Sequence, residues 1–425
     1  MKNAKSFEIS KQLVMEAYKR VKANKGAYGV DEVSIEDFEK DLRKNLYKIW
    51  NRMSSGCYLP PPVRLVEIAK DSGGKRPLGI PTVGDRVAQM VVVLLLQPKI
   101  DPCFHENSYG FRPGRNAHQA IEKATKSCHT HSWVVDLDIS KYFDTIDHDL
   151  LLKALQKHND CSWIELYIKR WLKVPYVKND GTKLERDKGV PQGSVIGPLL
   201  SNLFLHYVLD TWMQKNYPQF PFERYADDCI CHCKTVIQAR ELMAAIESRL
   251  RACKLELNVQ KTKIVYCRDS IRQGKNYKII QFDFLGYTFR PRSARSKAGI
   301  SYTSFAPAVS RASKVKIGKR IKSWDPRNWF TMTIEEIARM MNPAIQGWIN
   351  YYGKFYPYEL RTLLKRVNLK LVQWVRKKFK KFRHHKTRAF ERLCLIAQNS
   401  PGLFAHWNWG VQPTSSKISN KTLLA

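Results

Sequence analysis

The stretch Phe222-Glu223-Arg224-Tyr225-Ala226-Asp227-Asp228-Cys229-Ile230-Cys231 leaves little freedom in how this part of the chain folds. Strand formers flank two adjacent carboxylates, and Asp tolerates turn geometry, so the pattern predicts a β-hairpin with the acids at its tip. Like charges held this close raise each other's pKa unless a cation neutralises them, which implies a bound metal if the site is partly buried. Hard carboxylate oxygens favour magnesium or manganese over zinc. An ordinary solvated Asp-Asp turn has the same letters, so Tyr-x-Asp-Asp alone decides nothing.

A second stretch, Ser132-Trp133-Val134-Val135-Asp136-Leu137-Asp138-Ile139, alternates as a strand should. Val135, Leu137 and Ile139 fall on one face, Asp136 and Asp138 on the other. A carboxylate on the polar face of a buried strand is costly unless something uses it. Three acids holding two divalent ions suit in-line displacement at phosphorus, one ion activating a 3′-hydroxyl and the other holding a triphosphate.

In chain order, Asp138 with Phe143-Asp144, then Gly189-Val190-Pro191-Gln192-Gly193-Ser194-Val195-Ile196-Gly197-Pro198, then Tyr225-Ala226-Asp227-Asp228 resemble the three palm motifs of reverse transcriptases. Ser108-Tyr109-Gly110-Phe111-Arg112-Pro113-Gly114-Arg115 resembles a fingers motif of group II intron enzymes. Asn342-Pro343-Ala344-Ile345-Gln346-Gly347-Trp348-Ile349-Asn350-Tyr351-Tyr352-Gly353 resembles their thumb and maturase domain. The chain departs from group II usage at 193–198, where Gly-Gly-x-x-Ser-Pro is the commoner string.

The resemblance implies an α+β right-hand polymerase, its fingers and palm built on antiparallel sheet, followed by an all-helical thumb/maturase domain. The expected segments are an N-terminal extension 1–57, fingers 58–135, palm 136–290 with fingers elements interleaved, thumb/maturase 291–395 and a tail 396–425. It implies an RNA-directed DNA polymerase in which Asp138, Asp227 and Asp228 are catalytic. Asp138, Ile139, Asp227 and Asp228 would ligate two magnesium ions, or manganese. Lys70, Arg76, Phe143, Gln192 and Lys261 would bind the nucleotide. The implied partners are an RNA template with its primer, deoxynucleoside triphosphates, the parent group II intron RNA and a DNA target.

Each of these residues also has a plainer reading. Lys70, Lys75 and Arg76 rim a predicted hairpin across Asp71-Ser72-Gly73-Gly74, usually just a solvated loop. Phe143 can be core packing as well as a gate against a 2′-hydroxyl, and most single lysines such as Lys261 are surface lysines. Arg112 and Arg115 beside aromatics can bind phosphate or stack on bases; buried Arg bonded to backbone is an equal alternative.

Charge narrows the function class. With 73 Lys and Arg against 38 Asp and Glu, the net charge of +35 exceeds what solubility requires and points to a polyanionic partner. A packaging protein shares that charge, but 44% hydrophobic and 11% aromatic residues argue for a cored enzyme. The charge concentrates in 309–392, where an amphipathic helix over 360–382 would align Lys365, Arg366, Lys370, Arg376, Lys377 and Lys378 on a basic face, with Trp348, Tyr351, Tyr352 and Trp374 interleaved. No membrane span is expected, the longest apolar run being 90–96. The N-terminus starts no signal peptide, and the cysteines form no C-x-x-C pair. The expectation is a cytoplasmic, nucleic-acid-associated, bacterial protein with reduced thiols, in which Cys229, Cys231 and Cys233 form a core face. The Cys pairs of the endonuclease region carried by many relatives do not follow, so no second-strand endonuclease is expected. Two rival readings remain at this level: a related polymerase used by its host for defence or repair, and an RNA-binding splicing factor without polymerase activity.

Overall fold

The computed structural model describes residues 7–69, 74–272 and 277–414. The chain forms two compact units, Met1–Ile264 and Val265–Ala425.

The first unit opens with helices Lys11–Asn24, Ile35–Lys40 and Leu42–Ser54, the first two started by the side chains of Ser10 and Ser34, which accept the backbone N–H groups of Leu13 and Asp37. Strands Val63–Ala69 and Lys75–Ile80 then pair antiparallel, with Ala69 opposite Lys75, as the predicted hairpin requires. Helix Val83–Ile100 is buried around much of its circumference, including its polar residues. Asp85 accepts hydrogen bonds from Tyr58 Oη at 2.9 Å, Trp171 Nε1 at 2.8 Å and Gln89 Nε2 at 2.9 Å. Burial outweighs these donors and pushes its carboxyl up to about 6.

A four-stranded sheet carries the acids, in the order Phe222–Tyr225, Asp228–Cys233, Trp133–Leu137, Lys263–Tyr266. Its central strands are antiparallel, with Trp133 opposite Cys233 and Leu137 opposite Cys229. That register puts Cys229, Cys231 and Cys233 on one side with Trp133, Val135 and Leu137, all buried. The three sulfurs are a core face, and all ten cysteines are free thiols. Helix Gly197–Leu205 runs on through a π-helical turn, His206–Asp210, into Thr211–Asn216.

The second unit begins with an antiparallel sheet of Phe282–Phe284, Tyr287–Arg295 and Ser301–Val309. Helices Arg311–Ser323, Ile334–Tyr352, Tyr358–Lys378 and Lys386–Asn399 follow. A capping box of Thr333 and Glu336 starts the second of them. The division into compact units falls at 264/265, and in the second unit a sheet precedes the helices. Burial in these strands is confined to Tyr287, Phe289 and Arg292 and to the end of the last strand from Phe305 onward, so the segment carries no clean alternation to announce a strand. The segment expected as a tail also joins the helical core: Phe404, Trp407 and Val411 are buried in it. There Asn368 donates to the Val411 carbonyl at 3.0 Å, so its Oδ1 is the acceptor for Trp407 Nε1 and His406 Nε2, each at 2.8 Å. Among the described residues, no helix is long and apolar enough to cross a membrane.

Candidate active site

Tyr225 pairs with Asp228, leaving Ala226 and Asp227 as the corners of a two-residue hairpin. Ala226 has a φ of 56°. A positive φ at the first corner is the type II′ pattern that normally takes glycine. Continuing the register from the Leu137–Cys229 pair sets Asp138 beside Asp228 on the sheet face opposite the cysteines. The Asp138 backbone is fixed from a third side: its carbonyl accepts the Asn258 N–H at 2.8 Å, and its N–H reaches Thr262 Oγ1 at 3.3 Å. The same loop delivers Lys261, whose Nζ lies 3.3 Å from Asp138 Oδ2.

The carboxylates feel one another. Burial raises the pKa of Asp227, and Asp138 adds to the rise while Arg76 and Arg224 oppose it. The Asp228 side chain reaches solvent, yet the protein massed behind it strips away much of its water. That desolvation, followed by repulsion from Asp227 and Asp138, pushes Asp228 up to about 6. Among the described residues, no three His, Cys, Asp or Glu side chains already form a metal cage. What fits a divalent cation is the donor set: three hard carboxylates, Asp138 helping to raise the pKa of Asp227 and of Asp228, with the Lys261 ammonium as a partial counter-charge. Ile139 has a buried apolar side chain, so only its backbone carbonyl offers an oxygen.

Beside the acids, Gln192 joins two elements. Its Oε1 accepts from Arg76 Nε at 2.5 Å, and its Nε2 donates to Asp144 Oδ1 at 3.3 Å. Its carbonyl accepts the Gly79 N–H at 2.7 Å. Gly193 has a φ of 104°, and a Cβ there would stand 2.5 Å from the Gly79 carbonyl oxygen, so only glycine lets these backbones meet. Gln89, reaching up from the buried helix, accepts the N–H groups of Val195 and Ile196 at 2.8 and 3.2 Å. Phe143 is buried edge-on against Tyr142, and its carbonyl accepts the Val190 N–H at 2.7 Å. Lys75 is paired with Glu67 at 2.6 Å. Lys70 lies outside the described residues.

Other predicted ligands face inward. Arg112 is not presented to nucleic acid: its guanidinium binds both carboxylate oxygens and the carbonyl of Asp101 and the carbonyls of His105 and Ser108, with the side chain 7% exposed. Arg115 is exposed, 5.7 Å over the Tyr109 ring. On helix Tyr358–Lys378, Lys365, Arg366 and Lys377 are exposed. Lys370, Arg376 and Lys378 instead donate to the carbonyls of Lys322, Arg383 and Met332. The interleaved aromatics serve the core: Trp374 is buried and bonded to the Trp329 carbonyl, and Trp348 and Tyr352 pack against the same cluster.

Sequence reasoning missed the support behind the acids. Arg224, between the strand core and the turn, is fully buried and forks onto Asp210, with Nε to Oδ1 at 2.7 Å and Nη2 to Oδ2 at 2.5 Å. Its Nη1 donates to the Ala226 carbonyl at 2.9 Å and to Asn202 Oδ1 at 3.0 Å. Asn202 Nδ2 in turn donates to the Gly110 carbonyl at 2.7 Å. The motif 108–115 therefore lies against the acidic hairpin: Tyr109 N–H bonds the Arg224 carbonyl, and Arg224 N–H bonds the Asn107 carbonyl. An arginine in the strand Phe222–Tyr225, two residues ahead of the acidic turn, was the available signal.

Three acids on a palm-like sheet, a glutamine-bearing loop beside them and a basic helical region define a template-directed nucleotidyl transferase. Residues 68–289, more than half of the chain, match the reverse transcriptase (RNA-dependent DNA polymerase) family, and the chain belongs to that family. Residues 315–390 match the group II intron, maturase-specific domain, which makes the protein a reverse transcriptase/maturase of the group II intron type with a right-hand polymerase fold. It is 33% identical over 295 residues to protein YkfC of Escherichia coli, covering 60% of this chain and 77% of that one. It is 28% identical over 425 residues to the group II intron-encoded protein LtrA of Lactococcus lactis, covering 79% and 68%. A 91 kDa protein in the cob intron of Schizosaccharomyces pombe is 26% identical over 453 residues, covering 88% and 55%.

Proposed function

We propose that this RNA-directed DNA polymerase extends a primer at Asp138, Asp227 and Asp228, and that its second unit binds group II intron RNA to assist splicing. The observation that carries the reading is the convergence of three carboxylates, Asp138 beside Asp228 on one sheet face and Asp227 at the adjoining turn, with Asp228 pushed up to about 6 by burial and by the other two acids. Magnesium or manganese bound by these acids and the Ile139 carbonyl would supply charge neutralisation for a triphosphate and acidify the primer 3′-hydroxyl.

The chain's own residues do the rest. Arg76, tethered by Gln192 and facing Asp227, orients phosphate oxygens, and Lys261 is placed to meet the leaving pyrophosphate. Lys70 belongs with them by its place in the sequence. Phe143, fixed under the site by Tyr142 and Val190, limits room at the sugar 2′ position and so selects deoxynucleotides. Arg115, Lys365, Arg366 and Lys377 contact template or intron RNA through phosphates; the DNA target is held in the same way.

The test is primer extension on RNA with magnesium and deoxynucleoside triphosphates, beside a double Asp227→Ala, Asp228→Ala variant. Template-length DNA from the wild type and none from the variant is expected. A folded, RNA-binding wild type that makes no product refutes the assignment.

A further inference from the structure

Burying a charge pair at the back of a catalytic turn needs a reason, because two ions taken from water are strongly desolvated and a hydrophobic pair often serves stability as well. Arg224 and Asp210 both have side chains 0% exposed. Cross-strand pairing sets Arg224 beside Cys229, so it points away from the face that carries Asp228. Behind the sheet it meets Asp210, the last residue of the π-helical turn His206–Asp210, on the same continuous helix that carries Asn202. Such turns interrupt helices most often at functional sites.

The guanidinium has five N–H donors in a rigid fork. Two hold Asp210, and Nη1 serves both the Ala226 carbonyl and Asn202. Ala226 needs such a hold, since a non-glycine residue at a φ of 56° lies in a sparsely populated region that persists only when its surroundings over-determine it. The turn is clamped from the other side by Gly110, where an ideal Cβ would come within 2.4 Å of the Ala226 nitrogen. Asn202 closes the circuit by bonding both the Gly110 carbonyl and Arg224.

We infer that the buried Arg224–Asp210 pair, with Asn202, is the positioning device of the active site: it fixes the Ala226 carbonyl and thereby the directions in which Asp227 and Asp228 present their carboxylates. This rests on the proposed role of those acids. Lysine cannot replace the arginine, because one ammonium cannot fork onto Asp210 and also reach the Ala226 carbonyl.

The experiment compares wild type with Arg224→Lys, which keeps the charge opposite Asp210. Three readouts are taken: amide hydrogen exchange across 222–231, Mn²⁺ binding to the template–primer complex by EPR, and single-turnover extension beside template–primer affinity. In the variant, exchange at the turn rises and Mn²⁺ binds several-fold more weakly. The extension rate falls by about tenfold or more, as for misplaced catalytic groups, with template–primer affinity unchanged and partial recovery at high Mn²⁺. A merely structural role would lower the melting temperature without splitting rate from affinity. Folded Arg224→Lys with wild-type exchange, Mn²⁺ affinity and rate overturns the inference. Should Arg224→Lys not fold, Asn202→Ser, which keeps the ion pair but cuts the strut to Gly110, is expected to show the same pattern in weaker form, and wild-type behaviour there overturns it equally. A wild type that extends no primer refutes the polymerase assignment, while exchange and Mn²⁺ binding still judge the brace.

Discussion

Gly110→Ala adds one methyl group at the point where the motif 108–115 touches the acidic turn. Its Cβ would lie 2.4 Å from the Ala226 nitrogen, 2.9 Å from the Tyr225 carbonyl carbon and 3.1 Å from Tyr225 Cδ1. Ordinary carbon contacts begin near 3.5 Å, so the acidic turn or the Gly110 segment must retreat by about 1 Å. Neither side can yield alone, because Asn202 holds the Gly110 carbonyl and Arg224 holds that of Ala226. Overpacking of this kind costs about 1–3 kcal/mol of stability. A displacement of about 1 Å at a catalytic centre costs on the order of 10²-fold in rate. Single-turnover extension with excess enzyme reads the loss directly, once circular dichroism shows the variant folded. Gly84→Ala is the control, since its nearest neighbours would be at 3.7 and 3.8 Å. A folded Gly110→Ala that extends primers at the wild-type rate refutes the claim that this contact sets the turn.

Other outcomes follow from named residues. His406 is buried, and burial holds its pKa down to about 3. Between that value and the ordinary 6.5 the unfolded chain binds the proton and the folded chain does not, so stability is full above about pH 6.5 and falls as the pH drops toward 3. From pH 7 to pH 5 the second unit should lose about 2 kcal/mol by this route, read as a denaturant midpoint by tryptophan fluorescence, and His406→Gln should flatten the slope. Gly347 sits inside helix Ile334–Tyr352 with no atom within 4 Å of an added Cβ, so Gly347→Ala should stabilise by about 0.8–1 kcal/mol, seen as a higher melting temperature. Changing Lys365, Arg366 and Lys377 together to Glu should weaken RNA binding and lessen its salt dependence, the log–log slope on single strands falling by about 0.7 for each phosphate left without its cation. An unchanged slope would remove those side chains from the interface.

What was legible in the sequence was local. The Asp227-Asp228 hairpin, the alternating strand that leads into Asp138 and the hairpin before Lys75 and Arg76 are each written in neighbouring residues and form as read. What was not legible depends on partners far along the chain. Arg112 looked like a phosphate ligand because nothing nearby in the motif announces that Asp101 and three carbonyls will surround it. Nothing beside Asp85 and Gln89 in the sequence signals that Tyr58, Trp171 and the 195–196 backbone enclose them. The Arg224–Asp210 pair joins residues 14 apart in sequence through a π-turn that no helical period predicts.

The placing of Phe404, Trp407 and Val411 inside the helical core has a consequence for synthesis. Helices Ile334–Tyr352 and Tyr358–Lys378 lie in the middle of the second unit, and the residues that seal them are among the last described. During translation the helix faces that Phe404, Trp407 and Val411 cover therefore lack that cover until 404–411 have cleared the ribosome, while the first unit already has all of its own chain. A message cut short before codon 404 would yield an intact set of acids beside an unsealed maturase region, a product for proteases and chaperones rather than for RNA.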